Sequence, residues 1–467
     1  MSRLLAAVLL CSAGIALADS AQADPGTIDT ALKVKTSALV DGERDLGAGD
    51  FHTTSGGIVE ITPQVRWQLT PDLLTFLRVR GFTESNDFAT APDSNTPTQA
   101  STFAEVRELW VDYGGLTSYP GEHLRLGRQR LRQDDGLWFD RDIESLRWLF
   151  DTTLLQADIG VAKAFDSYTY KKDAVAVPVN LNDRFNAFAS VSYEWAPYQR
   201  VGLRMLYADD NGGTGDVGAQ PGANTKPSSG QLLWIGVHVE NGFYDYHHIK
   251  PVTYWTEAVL LTGTEKPTVV NPATGLLAPR DERDVHAWGG DFGLRVKPTD
   301  DFPLQIGAAY AFGTGGGDTN KSDAYRQTGL HSNRSRFTGT RTLVSRFGEV
   351  LRADLSNLSV ISLFASLQFD TGDASLVFHD FRRDQSSAPI ITDGISVQPL
   401  PGDHDIGKGV DLVLSRYFGL IKNETDPEGD MQTALRLRAS LFDPGSAYAS
   451  IADKSAYRVV LEGTVQF

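Results

Sequence analysis

The residues of this chain best suited to chemistry are cations that recur at every second position. Lys33 and Lys35 flank Val34, Arg107 lies in Glu105-Val106-Arg107-Glu108-Leu109-Trp110, and Arg436 and Arg438 alternate with Leu435, Leu437 and Ala439. Arg66 and Arg295 hold the same phase in similar runs. A denser cluster, Gly127-Arg128-Gln129-Arg130-Leu131-Arg132, departs from the pattern, because Leu124, Leu126, Arg128 and Arg130 share one phase. A bulge or an early strand end is expected there. A guanidinium grips a carboxylate or phosphate through two parallel hydrogen bonds. An inward array of such groups would therefore select anions, unless each one only neutralises an Asp or Glu of the same face. The residues alone leave both readings open.

Other chemistry finds little support. There is no Gly-x-Ser-x-Gly elbow for a hydrolase nucleophile. His247-His248 lack the i,i+4 partner and the Glu of a helical zinc site. Gly313-Thr314-Gly315-Gly316-Gly317 is followed by no Gly-Lys-Ser/Thr and reads as a turn, and Asp209-Asp210-Asn211-Gly212 lacks the later ligands of a calcium loop. Asp134-Asp135 have no acceptor placed opposite them. No catalytic residue, metal or cofactor is expected.

The elements that must carry the cations are strands. In Arg184 to Trp195, Phe185, Ala187, Ala189, Val191, Tyr193 and Trp195 share one face, with Phe188 the exception on the other. Val65-Trp67-Leu69, Phe292-Leu294-Val296 and Ile361-Leu363-Ala365-Leu367-Phe369 repeat the pattern. Eighteen to twenty such segments run from Leu32 to Phe467, spaced by about 25 residues, as in a transmembrane antiparallel β-barrel. Trp67, Trp110, Tyr193, Trp195 and Tyr457 lie near segment ends, where an interfacial girdle would sit. The strand Tyr457 to Phe467 alternates and ends on Phe, like the assembly signal of outer-membrane barrels. A charge facing lipid at mid-membrane costs roughly 2–4 kcal/mol, so the alternating cations should face the lumen.

Composition agrees with an exported, all-β chain. Across 467 residues, 43 Lys+Arg against 59 Asp+Glu give a net charge of −16, which argues against nucleic acid as a partner. Met1-Ser2-Arg3, the apolar run Leu4 to Leu17 and Ala16-Leu17-Ala18 read as a signal peptide cleaved after Ala18, or alternatively after Ala23. Either cut removes Cys11, the only cysteine, and leaves a single barrel domain over 19–467. Three long loops are expected at Thr83 to Thr102, Ala208 to Gly230 and Gly313 to Arg346, the last of them basic.

Several blocks carry a family resemblance: Glu108-Leu109-Trp110-Val111-Asp112-Tyr113, Tyr119-Pro120-Gly121-Glu122-His123-Leu124-Arg125, Gly127 to Arg132, Ser332-Asn333-Arg334-Ser335, Phe337-Thr338-Gly339-Thr340-Arg341 and Arg346-Phe347-Gly348-Glu349. Together they resemble the bacterial alginate export family, from about Leu32 to Phe467. The resemblance implies an outer-membrane barrel of about 18 strands through which an anionic polyuronate leaves the periplasm by passive diffusion. It places lumen bases at Lys35, Arg107, Arg130, Arg334, Arg436 and Arg438, with Glu108 and Asp140 as acidic companions. Asp142 stands where the family has Asn, and Thr62 where it has a lumen Arg, for which Arg66 is the candidate substitute. Lys171 stands in place of a lumen acid, with Asp173 nearby. The loops at 83–102 and 313–346 would cover the pore outside and inside. Implied partners are alginate, outer-membrane lipid and a periplasmic complex of scaffold and synthesis proteins. The competing readings are a general or small-anion porin and an outer-membrane enzyme acting on lipid or polysaccharide. The second would require Ser, His and an acid to converge at the barrel rim.

Overall fold

Strands with an apolar outer face leave their backbone groups to be satisfied by neighbouring strands, and in hydrocarbon that demands a closed ring. The computed structural model describes residues 25–49, 53–85, 102–165, 169–171, 183–221, 225–226, 228–279, 281–418 and 433–467, and it forms such a ring. The wall consists of β1 (Ile28–Gly42), β2 (Thr54–Thr70), β3 (Leu73–Glu84), β4 (Thr102–Tyr113), β5 (Glu122–Arg132) and β6 (Asp140–Asp151). It continues through β7 (Leu155–Lys163), β8 (Arg184–Ala196), β9 (Gln199–Asp210), β10 (Ser228–Glu240), β11 (Val252–Pro267) and β12 (Arg283–Val296). Then come β13 (Leu304–Gly313), β14 (Leu358–Phe369), β15 (Gly372–Arg382), β16 (Asp405–Tyr417), β17 (Thr433–Pro444) and β18 (Ala456–Gln466). Neighbours pair antiparallel, and β18 closes onto β1 with Lys33 opposite Gln466 and Gly42 opposite Tyr457. The signal peptide and the tip of the 83–102 loop lie outside the described residues, as do Asp173 and part of the 208–230 loop.

The lipid face follows the alternation. Leu126, Tyr193, Trp195, Leu294, Leu363, Leu435 and Leu461 are all exposed. One expected girdle residue departs from it. Trp110 is buried, stacks on Phe76 with centroids 5.1 Å apart and donates through Nε1 to Glu108 Oε2 at 3.1 Å. The cause is a register shift between Arg78 and Val79, which places an extra residue of β4 at Arg107 and reverses the phase beyond it. Leu109 and Val111 then point to lipid, and Glu108, Trp110 and Asp112 point inward.

The expected irregularity at the arginine cluster is also present. Gly127 has φ +128°, and a Cβ there would stand 2.3 Å from the Leu109 carbonyl oxygen. Beyond this point β5 leaves β4, whose Phe103–Glu105 pair instead with the short segment Thr169–Lys171. The upper β5–β6 hairpin turns into the barrel, where Leu131, Trp138, Phe139 and Ile143 join one apolar core with Phe188, Trp234, Phe347 and Tyr448.

The connection 314–357 occupies the lumen beside that hairpin. Ser332 and Asn333 N–H groups donate to the Gly136 carbonyl at 3.0 and 3.1 Å, at the end of the barrel where the long loops lie. At the opposite end, where β2–β3, β8–β9 and β14–β15 are joined by tight turns, Arg341 Nη1 donates to the Asp370 carbonyl at 2.9 Å. The connection therefore descends most of the length of the barrel and returns. Its Phe337 and Val344 pack with Phe243, Tyr244, Trp255 and Phe364 in a second core near the tight-turn end. Gly339 makes the descent possible: it has φ +77°, and a Cβ would meet Gln305 Oε1 at 2.2 Å. We call this connection the strut.

A lumenal belt of ion pairs

The arc of wall left uncovered by the strut carries most of the cations singled out in the sequence. On β18, Glu462 accepts Lys35 Nζ at 2.7 Å, Arg436 Nη1 at 3.3 Å and Arg438 Nε at 3.5 Å, three bases on one carboxylate. Arg438 also reaches Glu349 of the strut. Across the β1–β2 ladder Lys35 lies opposite Glu60, which pairs with Arg80 at 3.5 Å. Arg80 reaches Glu105 at 2.5 Å, Glu105 meets Arg107 at 3.4 Å, and Arg107 pairs with Asp142 of the inturned hairpin. The belt thus runs from β17 round to β6 with alternating sign.

A second tier adjoins it. Arg78 pairs with Glu108 at 2.8 Å and Arg128 with Glu144 at 2.8 Å. Arg130 directs both Nε and Nη2 at Asp140 Oδ1, at 2.9 and 2.7 Å. Several cations here keep contact with solvent, 31% for Lys35, 28% for Arg107 and 22% for Arg130, whereas the Arg438 side chain is only 4% exposed. Part-exposed pairs of this kind are worth about 0–1 kcal/mol each, so little free energy is needed to open them.

Of the remaining candidates, Arg334 is half-buried on the strut and paired within the structure. Arg66 is inward-facing but only four residues from the tight-turn end of β2. Thr62 lies on the same face and donates to Glu60 Oε1 at 3.3 Å. Arg295 is a correction. It faces inward, yet the strut covers it completely, and its guanidinium donates to the Phe337 and Asp245 carbonyls at 3.2 and 3.3 Å. Arg438 is nearly as buried, held by Glu349 and the Leu343 carbonyl of the strut. Arg78, Arg80, Glu60, Glu105 and Glu462 were missed in the sequence, although Arg78 and Arg80 alternate with Leu77 and Val79 as Arg436 and Arg438 do with their neighbours.

The sites set aside on sequence have structural explanations. Asp135 is fully buried and holds Arg204, which also reaches Glu257 at 3.3 Å. In the connection after β10, burial alone would raise the Asp245 carboxyl, but the N–H groups of His247 and His248 donate to it at 2.7 and 3.2 Å and hold it low. No group of metal-ligating side chains occurs among the described residues. Among the described residues, Ser, His and acid converge at Ser362, His379 and Asp411, but inside the wall and under the strut, where they are 4%, 0% and 1% exposed.

A closed eighteen-strand ring with an apolar belt outside and paired charges inside is the architecture of an outer-membrane porin-like barrel. A solved structure agrees: that of Pseudomonas aeruginosa OccK9 (OpdG) superposes with a TM-score of 0.55 over 94% of this chain and 98% of that one, at 14% identity. The sequence places it more closely. The family described as alginate export matches residues 28–462, and the chain belongs to that family. It is 42% identical to the alginate production protein AlgE of Pseudomonas aeruginosa, over 77% of this chain and 74% of that protein. It is 34% identical to the AlgE protein of Pseudomonas syringae pv. tomato, over 92% of each.

Proposed function

We propose that the barrel is a passive conduit through which alginate leaves the periplasm, drawn along a lumen lined by Arg and Lys. The observation that carries this is the belt: Lys35, Arg80 and Arg107, a fifth to a third exposed and each beside an acid, around the arc the strut leaves free. A polyuronate presents one carboxylate per sugar and can exchange with the belt's own acids site by site. Many moderate sites conduct, whereas a single tight one would trap the chain. The sealed Ser362–His379–Asp411 array leaves a substrate no approach and favours a conduit over a hydrolase. Cleavage after Ala18 or Ala23, and delivery of polymer by a periplasmic complex of scaffold and synthesis proteins, complete the proposal.

Planar-bilayer conductance with mannuronate oligomers tests it. The expected result is anion-selective current that the oligomers block, with Arg130→Glu and Arg436→Glu each reducing the anion preference. Anion-selective current indifferent to the oligomers would instead indicate a small-anion porin. Unchanged selectivity in both variants would defeat the lumenal mechanism.

A further inference from the structure

Ser362 on β14, His379 on β15 and Asp411 on β16 sit on three successive strands and face the lumen, outside the belt. Ser362 Oγ is 2.9 Å from His379 Nδ1, and His379 Nε2 is 3.2 Å from Asp411 Oδ2. A neutral imidazole satisfies both contacts in one tautomer: Nε2–H donates to the carboxylate, and Nδ1 accepts the Ser362 hydroxyl proton. The same Asp411 Oδ2 accepts the backbone N–H of Glu349 at 3.1 Å. Two donors, one from the wall and one from the strut, therefore meet on a single buried oxygen.

What hangs from that oxygen is a belt residue. The carboxylate of Glu349 holds Arg438, whose Nη2 also donates to the Leu343 carbonyl at 2.8 Å. Arg438 has one other carboxylate within reach, Glu462 at 3.5 Å, and Glu462 already serves Lys35 and Arg436. With Glu349 in place, Lys35, Arg436, Arg438 and the nearby Arg334 face two acids. With Glu349 displaced, the same bases share one.

We propose that Ser362, His379 and Asp411 are positioning residues: they fix the Glu349 backbone so that its carboxylate cancels Arg438, and in this way they set the charge the belt presents at β17–β18. The inference rests on the conduit reading above, and it explains why a polar relay is buried where three apolar side chains would pack. The array acts only through Glu349, since no member of it reaches the solvent-exposed arc.

The test is made on the full chain reconstituted in bilayers, reading the anion-to-cation permeability ratio and, separately, block by mannuronate oligomers. Glu349→Gln is expected to raise the anion preference about two- to fivefold, as the loss of one lumenal negative charge beside Arg438 would. His379→Gln removes the ring contacts to Ser362 and Asp411 and moves the ratio in the same direction. Its effect disappears in the Glu349→Gln background, because coupled residues do not add. Ser362→Ala removes only a hydroxyl and carries the test if His379→Gln fails to fold. A Ser362→Ala or His379→Gln barrel that folds and keeps the wild-type ratio overturns the proposal. So does an effect that adds in full to that of Glu349→Gln, since a merely structural loosening would behave that way. Oligomers that fail to block even the wild type defeat the conduit reading, while the permeability ratios still decide this one.

Discussion

The barrel uses ion pairs in two ways, and its two arcs separate them. Under the strut, Arg346 and Asp291 meet with both side chains 2% exposed, and Tyr244 Oη accepts Arg346 Nη1 at 3.1 Å. Arg204, Asp135 and Glu257 form a similar buried group that pins the inturned β5–β6 hairpin. Along the free arc the same residue types are paired at comparable distances but remain wet. A buried pair loses a great deal when one partner is removed, because the other charge stays in a dry place. A half-exposed pair loses little, because water takes the partner's place. Burial, more than residue type, decides whether a cation anchors the wall or stays in exchange with water.

The difference predicts a graded set of outcomes. Asp291→Ala should have the largest effect, destabilising the folded barrel by about 3–5 kcal/mol by stranding Arg346 and Tyr244. The urea midpoint of the refolded protein measures it, and a midpoint near the wild type would mean that the strut is not anchored there. Gly339→Val should follow, at about 1–3 kcal/mol, from a strained φ and the clash with Gln305. The same midpoint checks it, against Gly329→Val as a control for a left-handed glycine with only an arginine nitrogen nearby.

On the free arc the effects move from stability to selectivity. Arg107→Gln should change stability by about 1 kcal/mol or less while lowering the anion-to-cation permeability ratio; a large stability loss with unchanged selectivity would place Arg107 with the anchors. Asp142→Asn should do the reverse and is the mildest change. It leaves Arg107 with Glu105 as its remaining acid and tightens oligomer block by about two- to fivefold. Looser block in this variant would show that Asp142 assists passage rather than restraining the cation.

How much of this was legible in the sequence depends on the distance over which information had to travel. A strand's two faces are written in consecutive residues, so Ile361 to Phe369 or Phe185 to Trp195 announce their lipid side directly. The same alternation counts eighteen to twenty strands and sets the inward phase of Lys35, Arg107, Arg436 and Arg438, while the resemblance narrowed the number to about 18 and added Arg130 and Arg334. Where one extra residue enters a ladder, the periodic reading fails beyond it, as at Arg107, which turned Trp110 from a girdle residue into a lumenal one. Partners could not be read at all. Lys35 finds Glu462 and Arg438 finds Glu349 only because the ring closes and the strut descends. Arg295 shows the limit most clearly: its phase gives the correct face, but nothing local reveals that Phe337 and Gly339 will cover it.

The strut also separates two properties that a barrel usually ties together. In a plain barrel the bore follows from the number of strands, so changing it means changing the wall. Here a single connection between β13 and β14 takes up the cross-section, and the eighteen-strand ladder is indifferent to that connection's length. Calibre can therefore be altered by insertions, deletions or substitutions within residues 314–357 while every hydrogen bond between wall strands is kept. The cross-section of the lumen and the part of the chain that must insert into lipid are therefore under separate control.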